Sequence, residues 1–287
     1  MKVLVLGARG QLGSDLLRID AAAHGCEWIP LHREQLDLAD CAAIPAALDR
    51  YTFHALVNCT GYNRVDQAEH DAANVMQLNA HAVRCLAECC KARNARFVQI
   101  STDFVFSGAQ SQPYTETAPT APVNVYGASK ALGETMALSA WRDTVVMRTA
   151  SLFGIAGARE RGGNFVESIL RSARQGKRIS VIDDVRMSPT ATADLARMIV
   201  ALLRHAAPPG IYHAVNSGSA TWYEFAKEIV RQAGVRADLA PIPRAEYPQA
   251  AKRPPNSALD NGKIAAVAGT IPPWQDALRR YCYAKGL

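Results

Sequence analysis

Short apolar runs alternate with stretches of helical periodicity through the first half of the chain. The runs Lys2–Leu6, Glu27–Leu31, Ala55–Asn58, Arg96–Ile100 and Thr144–Met147 have the length and side chains of strands. The stretches between them, about Gln11–Ala23, Cys41–Tyr51, Ala72–Arg93 and Val125–Ala140, carry apolar residues at helical spacing. Strand and helix in alternation predict a parallel, doubly wound sheet. Ser107–Val123, rich in Pro, Thr and Ser, reads as a loop. Beyond Thr149 the alternation loosens. Gly154–Gly163 is a Gly/Arg-rich loop, Asn164–Gln175 a helix and Ile179–Ile182 a strand. Ser188-Pro189-Thr190 opens a helix over Ala191–Arg204, Ile211–Val215 is a strand, and Trp222–Ala233 and Trp274–Ala284 are helices.

At 287 residues the chain has room for one large α/β domain or two lobes. Its 49% hydrophobic and 20% charged residues are ordinary for a globular protein. A net charge of +6 mildly favours anionic ligands, but no Lys/Arg block marks a nucleic-acid stripe. No apolar run approaches the ~18 residues that span a bilayer, so no membrane partner is expected. The first strand begins at Lys2, so no signal peptide is expected and a cytoplasmic location follows. The seven cysteines form no C-x-x-C pair, which fits a reducing compartment. His81, Cys85 and Cys89 share a helical face, but a zinc site would want four ligands, and no metal is expected.

Gly7-Ala8-Arg9-Gly10-Gln11-Leu12-Gly13 follows a strand and opens a helix. In that context the glycines permit a tight turn, close approach of backbone to a pyrophosphate, and close helix packing. The phosphates would sit where free N–H groups and the helix dipole favour anions; the bland alternative is a structural turn. After the second strand, NAD-preferring folds place an acidic residue against the ribose. His32-Arg33 stands there instead, and a cation accepts a 2′-phosphate, so NADPH is favoured over NADH; the alternative is a solvated pair. Asp37-Leu38 could flank the adenine, with Asp37 bonding its amino group. Asn58-Cys59-Thr60-Gly61 would pass beneath the cofactor, where small residues suit a close approach. The expected organisation is a Rossmann-type α/β domain over residues 1–148 and a smaller α/β substrate lobe mostly over 149–287. The strands near 179–183 and 211–215 are left free to return to the first domain.

Tyr126 and Lys130 lie four residues apart and share one helical face. A phenol ordinarily holds its proton to pH ~10, and an ammonium within ~4–6 Å can lower that value by ~1–3 units. That brings the phenol toward the pH at which a general acid works best. Thr102, two residues past a predicted strand, could offer a hydroxyl to the same substrate oxygen. Alone, Y-x-x-x-K is a weak pattern whose bland reading is a helix start with a solvated lysine; the Gly-rich turn and the Ser101-Thr102-Asp103 triplet, in this order and at these distances, lift it above that.

In these residues the chain resembles the extended short-chain dehydrogenase/reductases, and within them the dTDP-4-dehydrorhamnose reductase family. The likeness runs from Gly7–Gly13 through Val65-Asp66-x-Ala68-Glu69, Asn79-Ala80, Ser101-Thr102-Asp103 and Asn124-Val125-Tyr126-Gly127 to Arg253-Pro254-x-Asn256-Ser257. The resemblance implies hydride transfer from NADPH or NADH to the C4 ketone of dTDP-6-deoxy-L-lyxo-4-hexulose, giving dTDP-L-rhamnose. It gives Tyr126 the proton, Lys130 the ribose and the tuning of Tyr126, Thr102 the carbonyl, and Asp103 the sugar.

The chain departs from the family at the substrate side. Where the family has Arg-Thr-Ser-Trp it has Arg148-Thr149-Ala150-Ser151, and Ser151 replaces an aromatic substrate contact. Asp184-Val185-Arg186-Met187-Ser188-Pro189-Thr190 lacks the family's Gln and Gly. A different nucleotide-linked 4-keto sugar is therefore the runner-up. A cofactor-binding regulatory subunit resembling the β subunit of methionine adenosyltransferase is the reading from another class. The lobe after Thr149 is expected to close over the sugar nucleotide, with Arg159 and Arg161 in its first loop. Asn164 would make a polar contact to the nucleotide half and Phe165 would pack on the base. Arg253 would bind the diphosphate through its guanidinium fork, unless it forms a salt bridge tying down the C-terminal tail. A homodimer is left open.

Overall fold

The computed structural model describes residues 1–157 and 162–287. Its first half carries strands β1 (Lys2–Leu6), β2 (Glu27–Leu31), β3 (Ala55–Asn58), β4 (Arg96–Thr102) and β5 (Thr144–Thr149). Between them run α1 (Gln11–Leu17), α2 (Ile44–Leu48), α3 (Val65–Ala68), α4 (Ala72–Met76), α5 (Ala82–Ala92) and α6 (Val125–Ala140). Then follow β6 (Leu152–Phe153), α7 (Phe165–Arg174), β7 (Ile179–Ile182), β8 (Arg186–Met187), β9 (Thr190–Ala191) and α8 (Thr192–Arg204). The chain ends with β10 (Gly210–His213), β11 (Ala220–Thr221), α9 (Trp222–Gln232), β12 (Leu239–Ile242), α10 (Gly262–Ala268) and α11 (Trp274–Lys285).

Six strands make one parallel sheet in the order β10-β5-β4-β3-β1-β2. The winding reverses between β1 and β3, and in such sheets ligands bind in the crevice outside the strand ends at the reversal. Successive residues of β1 serve opposite cores. Val3 and Val5 pack with Leu12, Leu16, Leu195, Ile199 and Ile264 of α1, α8 and α10. Leu4 and Leu6 pack with Ile44, Leu48, Leu86 and Ala137 of α2, α5 and α6. Covered on both faces, the strands read as near-continuous apolar runs rather than as alternation. A third core lies off the sheet, where Val166, Ile169 and Leu170 of α7 meet Phe225, Ile229, Trp274 and Leu278 of α9 and α11.

Several boundaries differ from expectation. β4 and β5 run two residues farther, pairing Ser101 with Arg148 and Thr102 with Thr149; a buried carboxylate described below satisfies the polar side chains of Ser101 and Arg148. The helix expected over 11–23 stops at Leu17, and Asp20 turns the chain by accepting from the amides of Ala22 and Ala23. The helix expected over 72–93 contains a π-helical turn at Gln77–His81. β10 joins the main sheet beside β5, and α8 covers the same face as α1. Ile179–Ile182 does not return to that sheet; it pairs in parallel with β12. Among the described residues no helix is long and apolar enough to cross a membrane.

Candidate active site

The crevice at the reversal is built from glycines. Gly7 ends β1 at φ +74°, and a Cβ there would stand 3.1 Å from the Cys59 carbonyl and 3.0 Å from Thr60 Cγ2. The exits of β1 and β3 therefore touch. Gly10 donates to Gly7 O at 2.9 Å and caps α1, and no side chain occupies that cap. A Cβ on Gly13 would lie 2.3 Å from Gly7 O, so α1 sits this close to the turn only with glycine. Leu12 anchors the helix in the core, and Gln11 Oε1 accepts from Asn164 Nδ2 at 3.3 Å. The bare cap, the turn and the N–H groups of the first helical turn fit the diphosphate of a dinucleotide.

The floor of the crevice is the loop after β3. Thr60 bonds Asn58 Oδ1 through its amide and hydroxyl. Desolvation pushes the Cys59 thiol up to about 12, so it is no thiolate at neutral pH. A Cβ on Gly61 would stand 3.0 Å from Asn79 Oδ1 and 3.5 Å from Lys130 Nζ. Asn79, on the π-helical turn, accepts from Tyr62 N at 2.9 Å and donates to Tyr62 O at 3.0 Å and Ser129 Oγ at 2.9 Å. It ties the loop to α6, a part not assigned from sequence; its signal was a polar residue inside an otherwise apolar helical face.

Where an adenosine was expected, after β2, the arrangement is looser than expected. The Arg33 side chain is 82% exposed, 3.5 Å from Asp37. Asp37 also accepts from Ala39 N at 3.0 Å, and Leu38 is buried in the core beneath α2. His32 Nδ1 is buried without a hydrogen-bond partner. An acidic residue is present after all: Glu34 pairs with Arg9 of the glycine turn at 2.9 Å. Its own backbone N–H and Arg9 hold the Glu34 carboxyl below its ordinary value.

The end of the crevice where Tyr126 and Lys130 were expected is set by α6. Asn124 caps the helix, accepting from Gly127 N at 2.7 Å. Tyr126 follows in the first turn and meets Phe104 edge-on, ring centroids 5.9 Å apart. Lys130, one turn on, is buried and donates from Nζ to Ile100 O at 2.6 Å. Burial pulls its ammonium down to about 8, against the charge of Glu134, which acts to raise it. Glu134 is itself buried, bound by Arg148 Nε at 2.9 Å and Nη2 at 2.6 Å and by the Ser101 hydroxyl. This clasp joins α6 to the ends of β4 and β5, and it too was not assigned from sequence. Thr102 and Asp103 are buried at the end of β4, and the Thr102 hydroxyl donates to Asp103 Oδ1 at 2.9 Å.

The side chains expected to bind the sugar nucleotide are partly engaged by the protein itself. Asn164 Oδ1 accepts from Glu167 N in a capping box, and its Nδ2 faces Gly154 O and Tyr281 OH. Phe165 packs against Trp222 and Phe225 in the third core, at centroid distances of 4.7 and 5.6 Å, not in an open base pocket. Arg253 forks onto Asp66 at 3.0 and 2.7 Å, which is the salt-bridge alternative. Ser151 is half-buried at φ +45°, in the turn between β5 and β6. Arg159 and Arg161 lie outside the described residues.

The family described as RmlD substrate binding domain matches residues 1–285. A dTDP-4-dehydrorhamnose reductase of Streptomyces griseus is 38% identical over 283 residues, covering 96% of this chain and 91% of the relative. A dTDP-4-keto-6-deoxy-D-glucose reductase of Streptomyces niveus is 36% identical over 242 residues, covering 84% and 82%. The crystal structure of dTDP-4-dehydrorhamnose reductase from Bacillus anthracis in complex with NADP superposes with a TM-score of 0.92 at 32% identity, over 99% of each chain. With the glycine turn, Tyr126 and Lys130 in place, the chain belongs to the dTDP-4-dehydrorhamnose reductase family.

Proposed function

We propose that this chain uses NADPH to reduce the C4 ketone of a dTDP-linked 6-deoxy-4-keto sugar, and that the sugar is dTDP-4-dehydro-L-rhamnose, giving dTDP-L-rhamnose. The observation that carries the reading is the buried Lys130, one helical turn from Tyr126 and beside Gly61 on the crevice floor. The diphosphate would lie over Gly7, Gly10 and the start of α1. The exposed Arg33, with its loose pair to Asp37, would take a 2′-phosphate. The reduced nicotinamide supplies the hydride. Tyr126 gives its phenolic proton to the ketone oxygen as that oxygen gains charge. Lys130 holds the ribose and, as a cation, steadies the phenolate left behind. Thr102 offers its hydroxyl to the same oxygen, and Asp103 lies beside it. A second sugar is favoured by two departures on the substrate side: Ser151 stands where the family carries an aromatic side chain, and the 184–190 stretch lacks the family's Gln and Gly.

The test is NADPH oxidation followed at the nicotinamide absorbance, with a panel of nucleotide-linked 4-keto sugars. The dTDP-linked 6-deoxy ketose is expected to be turned over fastest. Tyr126→Phe should keep NADPH binding while kcat falls by ~10²–10⁴, the usual worth of a general acid. Near-normal turnover in that variant, or oxidation with none of the sugars, would overturn the reading.

A further inference from the structure

Asp103 is 3% exposed, and its Oδ2 has no hydrogen-bond partner. A buried carboxylate with an idle oxygen is costly unless something compensates it. The groups acting on it are the Thr102 and Ser257 hydroxyls and the amides of Asp103 and Phe104. Ser257 faces the carboxyl without closing a bond to Oδ2. The charged groups of the neighbouring elements are committed elsewhere: Lys130 to Ile100 O, Glu134 to Arg148, and Arg253 to Asp66. Tyr126, on α6, also lies beside this turn, meeting Phe104 edge-on. Burial without a paired cation raises the carboxyl to about 6.

The hydrogen-bond inventory of Thr102 then matters. A hydroxyl has one proton to donate and two lone pairs to accept with. Thr102 Oγ1 already accepts from Phe104 N at 3.2 Å. When Asp103 is ionised it can only accept, so the Thr102 proton goes to Oδ1 at 2.9 Å. When Asp103 is neutral and protonated at Oδ1, its proton points at Thr102 Oγ1. Both lone pairs of Thr102 are then filled, and its own proton must point elsewhere. We propose that Asp103 is a positioning residue that aims the Thr102 proton: ionised, it holds that proton; neutral, it frees it for the ketone oxygen. This rests on the reductase reading above and adds a role distinct from holding the sugar. A carboxylate that bound a sugar hydroxyl through Oδ2 would instead favour binding at higher pH, so the two roles have opposite signs.

The experiment compares pH profiles of kcat and KM for ketose reduction in the intact enzyme, Asp103→Asn, Thr102→Val and the double variant, each checked for melting temperature and NADPH binding. Wild-type kcat is expected to rise as pH falls through about 6. That limb should vanish in Asp103→Asn, which cannot titrate, and equally in Thr102→Val, which keeps the carboxyl but has no proton to aim. A limb that survives Thr102→Val overturns the proposal, as does a KM that rises at low pH with kcat flat. A carbon-13 NMR titration of the Asp103 carboxyl in the apo protein gives an arm independent of turnover and of the Asn variant. Titration near 6, moving upward in Thr102→Val as a donor to the carboxylate is lost, is expected; an ordinary value of ~3.9 overturns the proposal. A wild type inactive on every ketose sinks the reductase reading and the proposal with it. An active wild type with a persistent limb sinks the proposal alone.

Discussion

Replacing Glu134 by Gln tests whether one buried charge holds α6 in place. The Glu134 and Arg148 side chains are 4% and 2% exposed, and the guanidinium reaches both carboxylate oxygens. Glutamine keeps the shape and one acceptor oxygen but removes the charge, so Arg148 stays buried without its counter-ion. Removing one member of a buried pair costs about 3–5 kcal/mol. Over 287 residues, at ~2.1 cal/mol/K of unfolding entropy each, that is a melting point lower by about 5–8 °C. A second effect reaches Lys130. Burial lowers its value to about 8 while the Glu134 charge acts to raise it, so without that charge the ammonium loses its proton at lower pH. The alkaline decline of kcat/KM should move the same way. Calorimetry and a pH–rate profile on one protein preparation read both. Glu134→Met with Arg148→Met should recover most of the melting temperature, since an apolar replacement of a buried pair is often neutral, yet keep the displaced alkaline limb. A Glu134→Gln variant that melts within about 2 °C of wild type would refute the assignment of the clasp.

Gly127→Ala and Gly133→Ala place a Cβ 2.1 Å from Phe104 O and 2.0 Å from Asn79 O; both should lower the melting temperature and turnover, and a rise of about 1 kcal/mol from helix propensity alone would show that α6 does not pack this closely. Arg253→Ala should cost about 1 kcal/mol in urea unfolding at neutral pH. The Arg253 hydrogen bond depresses the Asp66 carboxyl, so the pair's stabilisation is present above the unfolded value of ~3.9 and disappears as pH falls below it. The gap to wild type should close there, whereas a raised sugar-nucleotide KM with unchanged stability would return Arg253 to the diphosphate. Titrating NADPH and NADH should show NADPH at least as tight, with Arg33→Ala weakening NADPH selectively; tighter NADH binding with no effect of Arg33→Ala would contradict the 2′-phosphate role.

Much of the fold was legible because it is written in local patterns. Runs such as Val3–Leu6 and Ala55–Val57 are apolar on both faces, as a strand covered by helices on both sides requires. The glycine spacing at 7, 10 and 13 likewise carried its own reason, since the Gly13 contact with Gly7 O arises within one turn. The spacing of Tyr126 and Lys130 placed both on one face of α6. These determinants act over a few residues, and the sequence by itself decided them.

Other features depended on partners far along the chain. That Ile211 returns to the main sheet while Ile179 pairs with residues near 240 follows from which edge was open, and both strands look alike in isolation. The acceptance of Arg148 by Glu134, the hold of Asn79 on Tyr62 and the fork of Arg253 on Asp66 join residues 14, 17 and 187 positions apart. Asn164 and Phe165 carried the right residue types for a nucleotide, but the Asn164 side chain caps α7, and Phe165, half-buried, packs in part against the third core. A polar side chain serves whichever partner the fold brings within reach. The sequence determined which chemistry this protein holds, and only the tertiary structure decided which of its charged and polar groups remain for a substrate.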